Sequence, residues 1–161
     1  MDSKKAAAFL VQYFNSVGEP LTNLKLQKIL YYLQVWYLVH FKGKLIFTEV
    51  PKAWVHGPVY STVYNEYKGC GGMPIIPNKP WTDREIRAEL EEIFPTKKEQ
   101  EFAIDLLKYY GSKNAFILEL MTHNEEPWQR ARMGLSPIQP SQNPIDLDFA
   151  KNYYKSLLSA K

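Results

Sequence analysis

The chain has 161 residues, of which 45% are hydrophobic, 14% aromatic and 23% charged, and its 20 basic and 17 acidic residues give a net charge of +3. This composition excludes a disordered chain, and no stretch is long and apolar enough to span a membrane. The single cysteine excludes an internal disulfide, so we expect one cytoplasmic domain over residues 1–161.

The amino-terminal part of the chain predicts two helices. Apolar side chains recur at helical spacing over residues 6–14 and stop before Gly18. The second helix begins after Thr22, a favourable N-cap, and continues to about Phe41. Its apolar residues cover nearly the whole circumference and leave a narrow polar strip of Asn23, Gln27 and Gln34. We therefore expect this helix to pass through the centre of the fold.

The middle of the chain predicts a small β element and another helix. Residues 44–50 are rich enough in β-branched and aromatic side chains to form a strand or a hairpin arm. Gly57 and Pro58 then predict a helix start, with Pro58 at the first helical position. Residues 69–80 form a glycine-rich connector in which Ile75 and Ile76 could pair as a second short strand.

The remainder of the chain is predicted to be helical. The predicted helices cover residues 83–94, 96–110, 112–121 and 128–133. Thr96 and Glu99 form a capping box, and Ser112 is the expected cap of the third of these helices. A proline-rich connector follows, and a final helix carries an apolar stripe of Phe149, Tyr153 and Leu157. The expected fold is mainly α: one compact helical domain around a central buried helix, with a small β hairpin or two short strands.

Three stretches, taken together, resemble a known family. They are Leu-Gln-Lys-Ile-Leu-Tyr-Tyr within residues 21–34, Ala-Trp-Val-His-Gly-Pro-Val within 49–60 and Thr-His-Asn-Glu-Glu-Pro-Trp within 118–132. Their order and spacing resemble those of the Panacea domain, the helical domain of SocA-like antitoxins and of phage-associated proteins, over residues 5–158. The motif residues expected to have structural roles are Leu26, Tyr31, Gly57, Pro58, His123, Pro127 and Trp128.

The resemblance implies a function in toxin–antitoxin biology. Members pair with a toxin from the adjacent gene and abolish its toxicity, several by direct binding and one branch by delivering the toxin to a protease. The expected partner is therefore a protein toxin, and the alternatives are a proteolytic adaptor for an ATP-dependent protease and a DNA-binding autorepressor. The chain has few clustered Lys or Arg, which argues against nucleic-acid binding.

Two segments carry candidate contacts for the partner. Trp54 and His56 could be presented at a surface turn beside a helix start, with Tyr60 following them. The alternative is that Trp54 belongs to the core and the Gly-Pro pair only starts a helix. Glu85 and Glu89 lie on an acidic helix that is either a solvated face or the complement of a basic toxin surface.

Two adjacent tyrosine pairs complete the set of candidate contacts. Neighbouring residues on a helix point about 100° apart, so both members of a pair cannot face inward. We expect one tyrosine of each pair to be exposed for partner binding, with Tyr110 and Tyr154 as the candidates.

Catalytic, cofactor and metal sites are not predicted. His123 lies near Glu125 and Glu126, but no other histidine or cysteine has the spacing of a zinc ligand set. Residues 69–72 lack the Gly-Lys-Ser/Thr sequence that ends a phosphate-binding loop. Cys70 has no adjacent His or basic residue that would activate its thiol. We expect a binding protein and not an enzyme.

Overall fold

A computed structural model describes residues 1–160, which form eight α-helices and one two-stranded antiparallel sheet. The elements in chain order are α1 (Ser3–Ser16), α2 (Asn23–His40), β1 (Lys52–Trp54), β2 (Gly57–Val59), α3 (Ser61–Tyr67), α4 (Asp83–Ile93), α5 (Lys97–Gly111), α6 (Ala115–His123), α7 (Glu126–Ala131) and α8 (Leu147–Ser159). The predicted mainly α class with a small β element is confirmed. No helix within residues 1–160 has the length and apolarity needed to cross a membrane.

Helix α2 lies at the centre of the fold, as predicted. The Thr22 side chain accepts a hydrogen bond from the Lys25 backbone N–H at its start, and Phe41 is its C-cap. Leu26 and Tyr31 are fully buried, and α2 packs against α1, α3, α5, α6 and α8. A helix that is apolar nearly all round is stable only when other elements cover every side of it.

Residues 44–50 do not form the predicted strand. Ile46 and Phe47 are buried, but their backbone groups bond to a side chain of α2 and not to another strand. The Gln34 amide donates to the Phe47 carbonyl at 2.6 Å and accepts from the Ile46 N–H at 2.9 Å. Gln34 thus faces inward, because a buried backbone segment outside a sheet needs polar partners.

The β hairpin lies later in the chain than predicted, and it includes the Gly57-Pro58 pair. Trp54 pairs with Gly57 and Ala53 with Pro58, so the predicted helix start at Gly57 and Pro58 is wrong. Helix α3 begins at Ser61, with Tyr60 at its N-cap position. Gly57 has a φ of +110°, a conformation that glycine adopts at low cost.

The connector before α8 explains why a proline fits in this hairpin. The Ala53 N–H donates to the Asn143 carbonyl at 2.9 Å, and the Ile145 N–H donates to the Pro51 carbonyl at 2.9 Å. The Ala53 N–H therefore makes its hydrogen bond on the side away from β2. Pro58 has no N–H to donate, but the opposite Ala53 carbonyl does not lack a donor, because Arg132 Nη1 donates to it at 2.9 Å.

Three further predictions about local structure are wrong. Ile75 and Ile76 form no strand, and the Ile75 N–H instead donates to the Leu21 carbonyl at 2.7 Å. Helix α6 is capped by Asn114, whereas Ser112 is the C-cap of α5. The buried residues of α8 are Ala150 and Tyr154, so its apolar stripe is displaced from the predicted Phe149, Tyr153 and Leu157, of which Leu157 is exposed.

Candidate functional site

The three motif stretches meet at one place, which we call the motif junction and define as Lys28, Gly57, Thr122, His123 and Trp128. A Cβ atom on Gly57 would lie 2.6 Å from Lys28 Cε and 2.9 Å from Thr122 Oγ1. Real Cβ atoms do not approach other atoms so closely, so only glycine fits between the two side chains. Close packing between residues from all three stretches therefore fixes the hairpin on α2 and α6.

Side chains of α7 and of its end hold the other arm of the hairpin. Trp128 Nε1 donates to the Trp54 carbonyl at 2.9 Å, and Arg132 Nη1 donates to the Ala53 carbonyl at 2.9 Å. The Trp128 ring stacks on His123, with ring centroids 4.1 Å apart. His123 ends α6, and Pro127 is buried in the first turn of α7.

Lys28 is the unexpected member of the motif junction. Its side chain is fully buried, and its Nζ makes no hydrogen bond to any of residues 1–160. Burial lowers the pKa of Lys28 to about 7, against a smaller opposing effect of the Glu119 charge. Burial also lowers the pKa of His123. The junction therefore holds a lysine whose charged form is disfavoured by burial.

An open groove lies beside the motif junction, which we call the hairpin groove. It has a volume of about 420 Å³. Its lining residues come from the start of α2, the hairpin, α3 and two loops: Asn23, Leu24, Gln27, Trp54, Val55, His56, Val59, Tyr64, Gly71, Pro140, Ser141 and Gln142. No Asp, Glu, Lys or Arg lines it among the described residues, so its surface is apolar and nearly uncharged.

Two of the three amide side chains in the groove, those of Asn23 and Gln27, are already engaged. Gln27 accepts from the Tyr60 N–H at 2.8 Å and donates to Asn23 Oδ1 at 3.0 Å. The Asn23 amide in turn donates to the Tyr64 carbonyl at 3.1 Å. Because these amides hold the start of α3 against α2, they contribute structure and not free hydrogen-bonding capacity.

His56 lies at the hairpin turn and is well exposed. Its side chain is 68% exposed and its Nδ1 lies 3.0 Å from Glu119 Oε1. This contact joins the rim of the hairpin groove to α6. The turn that presents His56 belongs to a hairpin and not to a helix start, and Trp54 is half-buried, between the two places considered for it.

A second polar cluster lies about one turn farther along α2, and we call it the tyrosine network. It consists of Tyr31, Tyr32, Tyr154 and Glu125. Glu125 Oε1 accepts from Tyr32 at 2.7 Å and from Tyr154 at 2.9 Å. The hydroxyls of Tyr31 and Tyr154 are 3.0 Å apart. Burial raises the pKa of Glu125, which the two donated hydrogen bonds partly counteract.

Three of the predicted contact residues are inaccessible to a partner. Tyr60, Tyr110 and Tyr154 are buried, so the expectation that Tyr110 and Tyr154 are exposed is wrong. Tyr110 stacks on Tyr32 at 4.3 Å, and its neighbour Tyr109 is the exposed member of that pair. The 100° angle between neighbouring residues on a helix correctly predicts that only one tyrosine of each adjacent pair faces inward. The packing of α5 and α8 determines which tyrosine that is.

The two predicted acidic contacts have intramolecular roles. Glu85 forms a capping box with Thr82 at the start of α4. Glu89 lies 3.1 Å from Lys5 Nζ and forms an ion pair with α1. Nothing in these contacts tests whether Glu85 or Glu89 also meets a partner, so that prediction stands as a prediction.

Ligand-type side chains are scattered over the part of the chain that the structure describes. No group of three or more His, Cys, Asp or Glu side chains in residues 1–160 is arranged to hold a metal ion. Among these side chains, the exposed contact of His56 with Glu119 is the arrangement most similar to a catalytic pair.

The sequence analysis did not identify Lys28, Leu24 or Glu119 as site residues. Lys28 carried a usable signal, because it lies in the middle of a helix that is apolar nearly all round, where most positions face other elements. Leu24 and Glu119 carried none, since their places at the groove and against His56 depend on how distant segments pack.

Comparison with known proteins agrees with the three stretches. Residues 26–129 match the family described as "Antitoxin SocA-like, Panacea domain". A 76-residue segment is 33% identical to "Antitoxin SocA" of Caulobacter vibrioides, covering 47% of this chain and 40% of that protein. The chain thus aligns with less than half the length of this relative, and no solved structure matches it. The matched region includes the whole motif junction, and the chain belongs to the SocA-like antitoxin family with a Panacea domain.

Proposed function

We propose that this chain is an antitoxin that neutralises a cognate protein toxin by stoichiometric direct binding in the cytoplasm. The observation that carries the proposal is the family match over residues 26–129, which includes all of the motif junction. The toxin is expected to be the product of the adjacent gene. The chain acts on it as a binding partner and not as an enzyme.

The buried ionisable side chains are enclosed within the fold, which supports a binding function over a catalytic one. Glu125 is held by two tyrosine hydroxyls, and Lys28 is enclosed beneath Gly57. A catalytic acid or base must be within reach of a substrate, and these two side chains lie inside the packing of the fold. The hairpin groove, in contrast, is accessible and lined by apolar and uncharged polar side chains, as expected at a protein interface.

The first test is growth rescue followed by co-purification. Cells that express the product of the adjacent gene are compared with and without this chain, and a copy of the chain with an early stop codon serves as the control. Direct binding predicts rescue, an undiminished toxin half-life and a stable complex of the two proteins. Rescue with a shortened toxin half-life would instead support the proteolytic adaptor.

The DNA-binding alternative is tested separately. Binding to phosphates releases counterions, so an autorepressor should shift its own promoter DNA with a strong dependence on salt. We expect no such shift at physiological salt, because the chain has few clustered Lys or Arg. A specific, salt-dependent shift by the chain alone would favour the autorepressor.

A further inference from the structure

We propose that the hairpin groove and the outer face of α6 together form the surface that docks the toxin, and that the docked element is an uncharged, apolar segment projecting from the toxin. The inference rests on the proposed function, because it names where the partner of that function binds. It follows from the exposed apolar side chains around the groove and from the absence of charge within it.

Large apolar side chains from several segments are exposed around the groove. Leu24 lines the groove and is 38% exposed. Ile138 is 82% exposed and lies two residues before the lining residue Pro140, and Met73 is 69% exposed two residues after Gly71. Exposed apolar side chains on and next to the segments that line a concave surface are typical of a site that a partner covers.

Helix α6 extends this apolar surface. Its inward face is Leu118 and Thr122, whereas Phe116, Ile117 and Leu120 point outward with exposures of 65%, 40% and 41%. A short helix with apolar residues on both faces resembles a buried helix, although α6 is covered on one side only. The contact between Glu119 and His56 places α6 directly beside the groove.

The charge distribution selects the chemistry of the partner. The lining residues include no Asp, Glu, Lys or Arg, and Glu119 is turned toward His56 with 18% of its side chain exposed. A nucleic acid would need cationic side chains here. Aromatic and apolar residues without charge are instead typical of the core of a protein–protein interface. The complementary surface is therefore an apolar protein segment.

A second copy of this chain fits the surface less well than a toxin does. A symmetric contact through α6 alone would cover three exposed apolar side chains on each partner, well below the roughly 800 Å² that each partner contributes to a standard interface. Such a contact would also leave the hairpin groove open. A projecting toxin segment fills the groove and covers α6 at the same time.

Isothermal titration of the purified adjacent-gene product into the purified full chain tests the inference. The variants Phe116→Asp and Ile138→Asp each place a charge on the surface, and Tyr109→Asp is the matched control because Tyr109 is 57% exposed on α5. We expect each surface variant to weaken binding at least about 30-fold, as for residues central to an interface. The control should change binding less than about 3-fold, which is within the usual effect of a peripheral contact. Circular dichroism melts establish that every variant is folded, and Phe116→Asn replaces Phe116→Asp if the latter is not.

The possible outcomes distinguish a failure of this inference from a failure of the proposed function. Wild-type binding with undiminished binding by both surface variants would overturn the inference and leave the proposed function standing. Loss of binding in Tyr109→Asp alone would place the interface on α5 and overturn it as well. The wild-type chain could also form a dimer that Phe116→Asp dissociates and with which the toxin does not compete. That result would assign the surface to a second copy. A wild-type chain that neither binds nor neutralises the adjacent-gene product would overturn the proposed function and this inference together.

Discussion

Helix α2 buries polar side chains in two clusters that are stabilised in different ways. In the tyrosine network, Glu125 accepts hydrogen bonds from Tyr32 and Tyr154, and Tyr154 is also bonded to Tyr31. In the motif junction, Lys28 Nζ makes no hydrogen bond within residues 1–160. Around Lys28 the junction depends on close packing, the contact of Gly57 with Lys28 and Thr122, and the stacked Trp128 holds the hairpin from its other side.

This difference shows that the fold depends on hydrogen bonding in one cluster and on close packing in the other. A network of satisfied hydrogen bonds is damaged when one donor is removed, because the remaining groups stay buried without a partner. A closely packed junction is damaged when volume is added, because packed interiors do not deform readily. The two clusters should therefore respond to different substitutions.

The largest effect is expected from Gly57→Ala in the motif junction. The added methyl group would lie 2.6 Å from Lys28 Cε, at a φ of +110° that alanine avoids. Overpacking and backbone strain together should lower the free energy of unfolding by about 3 kcal/mol. Chemical denaturation measures this change. Gly69→Ala is the control, because nothing lies within 4 Å of its new Cβ, and a comparable loss there would contradict the packing account.

The second prediction concerns the pH dependence that Lys28 gives to the junction. Burial lowers the pKa of Lys28 from 10.5 to about 7, so the folded chain binds this proton more weakly than the unfolded chain does. The stability of the wild-type protein should therefore rise with pH above about 7, where the folded chain loses the charge but the unfolded chain keeps it. Lys28→Met should lack this rise. The difference in slope should be at most about 1.4 kcal/mol per pH unit.

Denaturation of both chains between pH 7 and pH 9 measures that difference, a window that follows from the lowered pKa of Lys28. The neighbouring ionisable groups Glu119, His56 and His123 are present in both chains, so their contributions largely cancel. Parallel stability curves for the two chains would show that Lys28 keeps its charge in the folded state.

In the tyrosine network, we expect Tyr154→Phe to cost about 1 to 2 kcal/mol of unfolding free energy. The substitution keeps the buried ring but removes the hydroxyl shared by Glu125 and Tyr31. Thermal or chemical unfolding measures the loss. Tyr109→Phe removes an exposed hydroxyl and should change stability by less than about 0.5 kcal/mol. Equal effects of the two substitutions would mean that the network contributes nothing.

The smallest effect on stability is expected at the rim of the groove. His56→Ala removes the contact with Glu119, but His56 is 68% exposed, and even a fully charged pair at such an exposed place contributes at most about 1 kcal/mol. The unfolding free energy should fall by less than that amount. A larger loss, measured by the same denaturation, would show that His56 belongs to the structural junction and not to the accessible surface.

Local signals in the sequence predict much of the helical fold. The Thr22 cap and the apolar circumference of α2 lie within one segment, and so does the capping box of Thr96 and Glu99. Such features depend on residues a few positions apart, which is why they can be read without knowledge of the tertiary structure. The three motif stretches likewise identify the family before their contacts are known.

Long-range contacts decide the features that the sequence analysis misplaced. Gly57 and Pro58 are compatible with both a helix start and a hairpin, and the contacts with Lys28, Thr122 and the connector near Asn143 select the hairpin. The hairpin groove draws its lining from segments that begin near residues 23, 54, 71 and 140. No local pattern could have assembled it.

The central claim, neutralisation by direct binding, is tested most directly with purified components and no protease. The activity of the purified adjacent-gene product is measured while the full chain is added in increasing amounts. Direct binding predicts that inhibition is complete at a fixed molar ratio and that the toxin remains intact. An active toxin in the presence of excess folded chain, inhibited only after an ATP-dependent protease is supplied, would contradict the account.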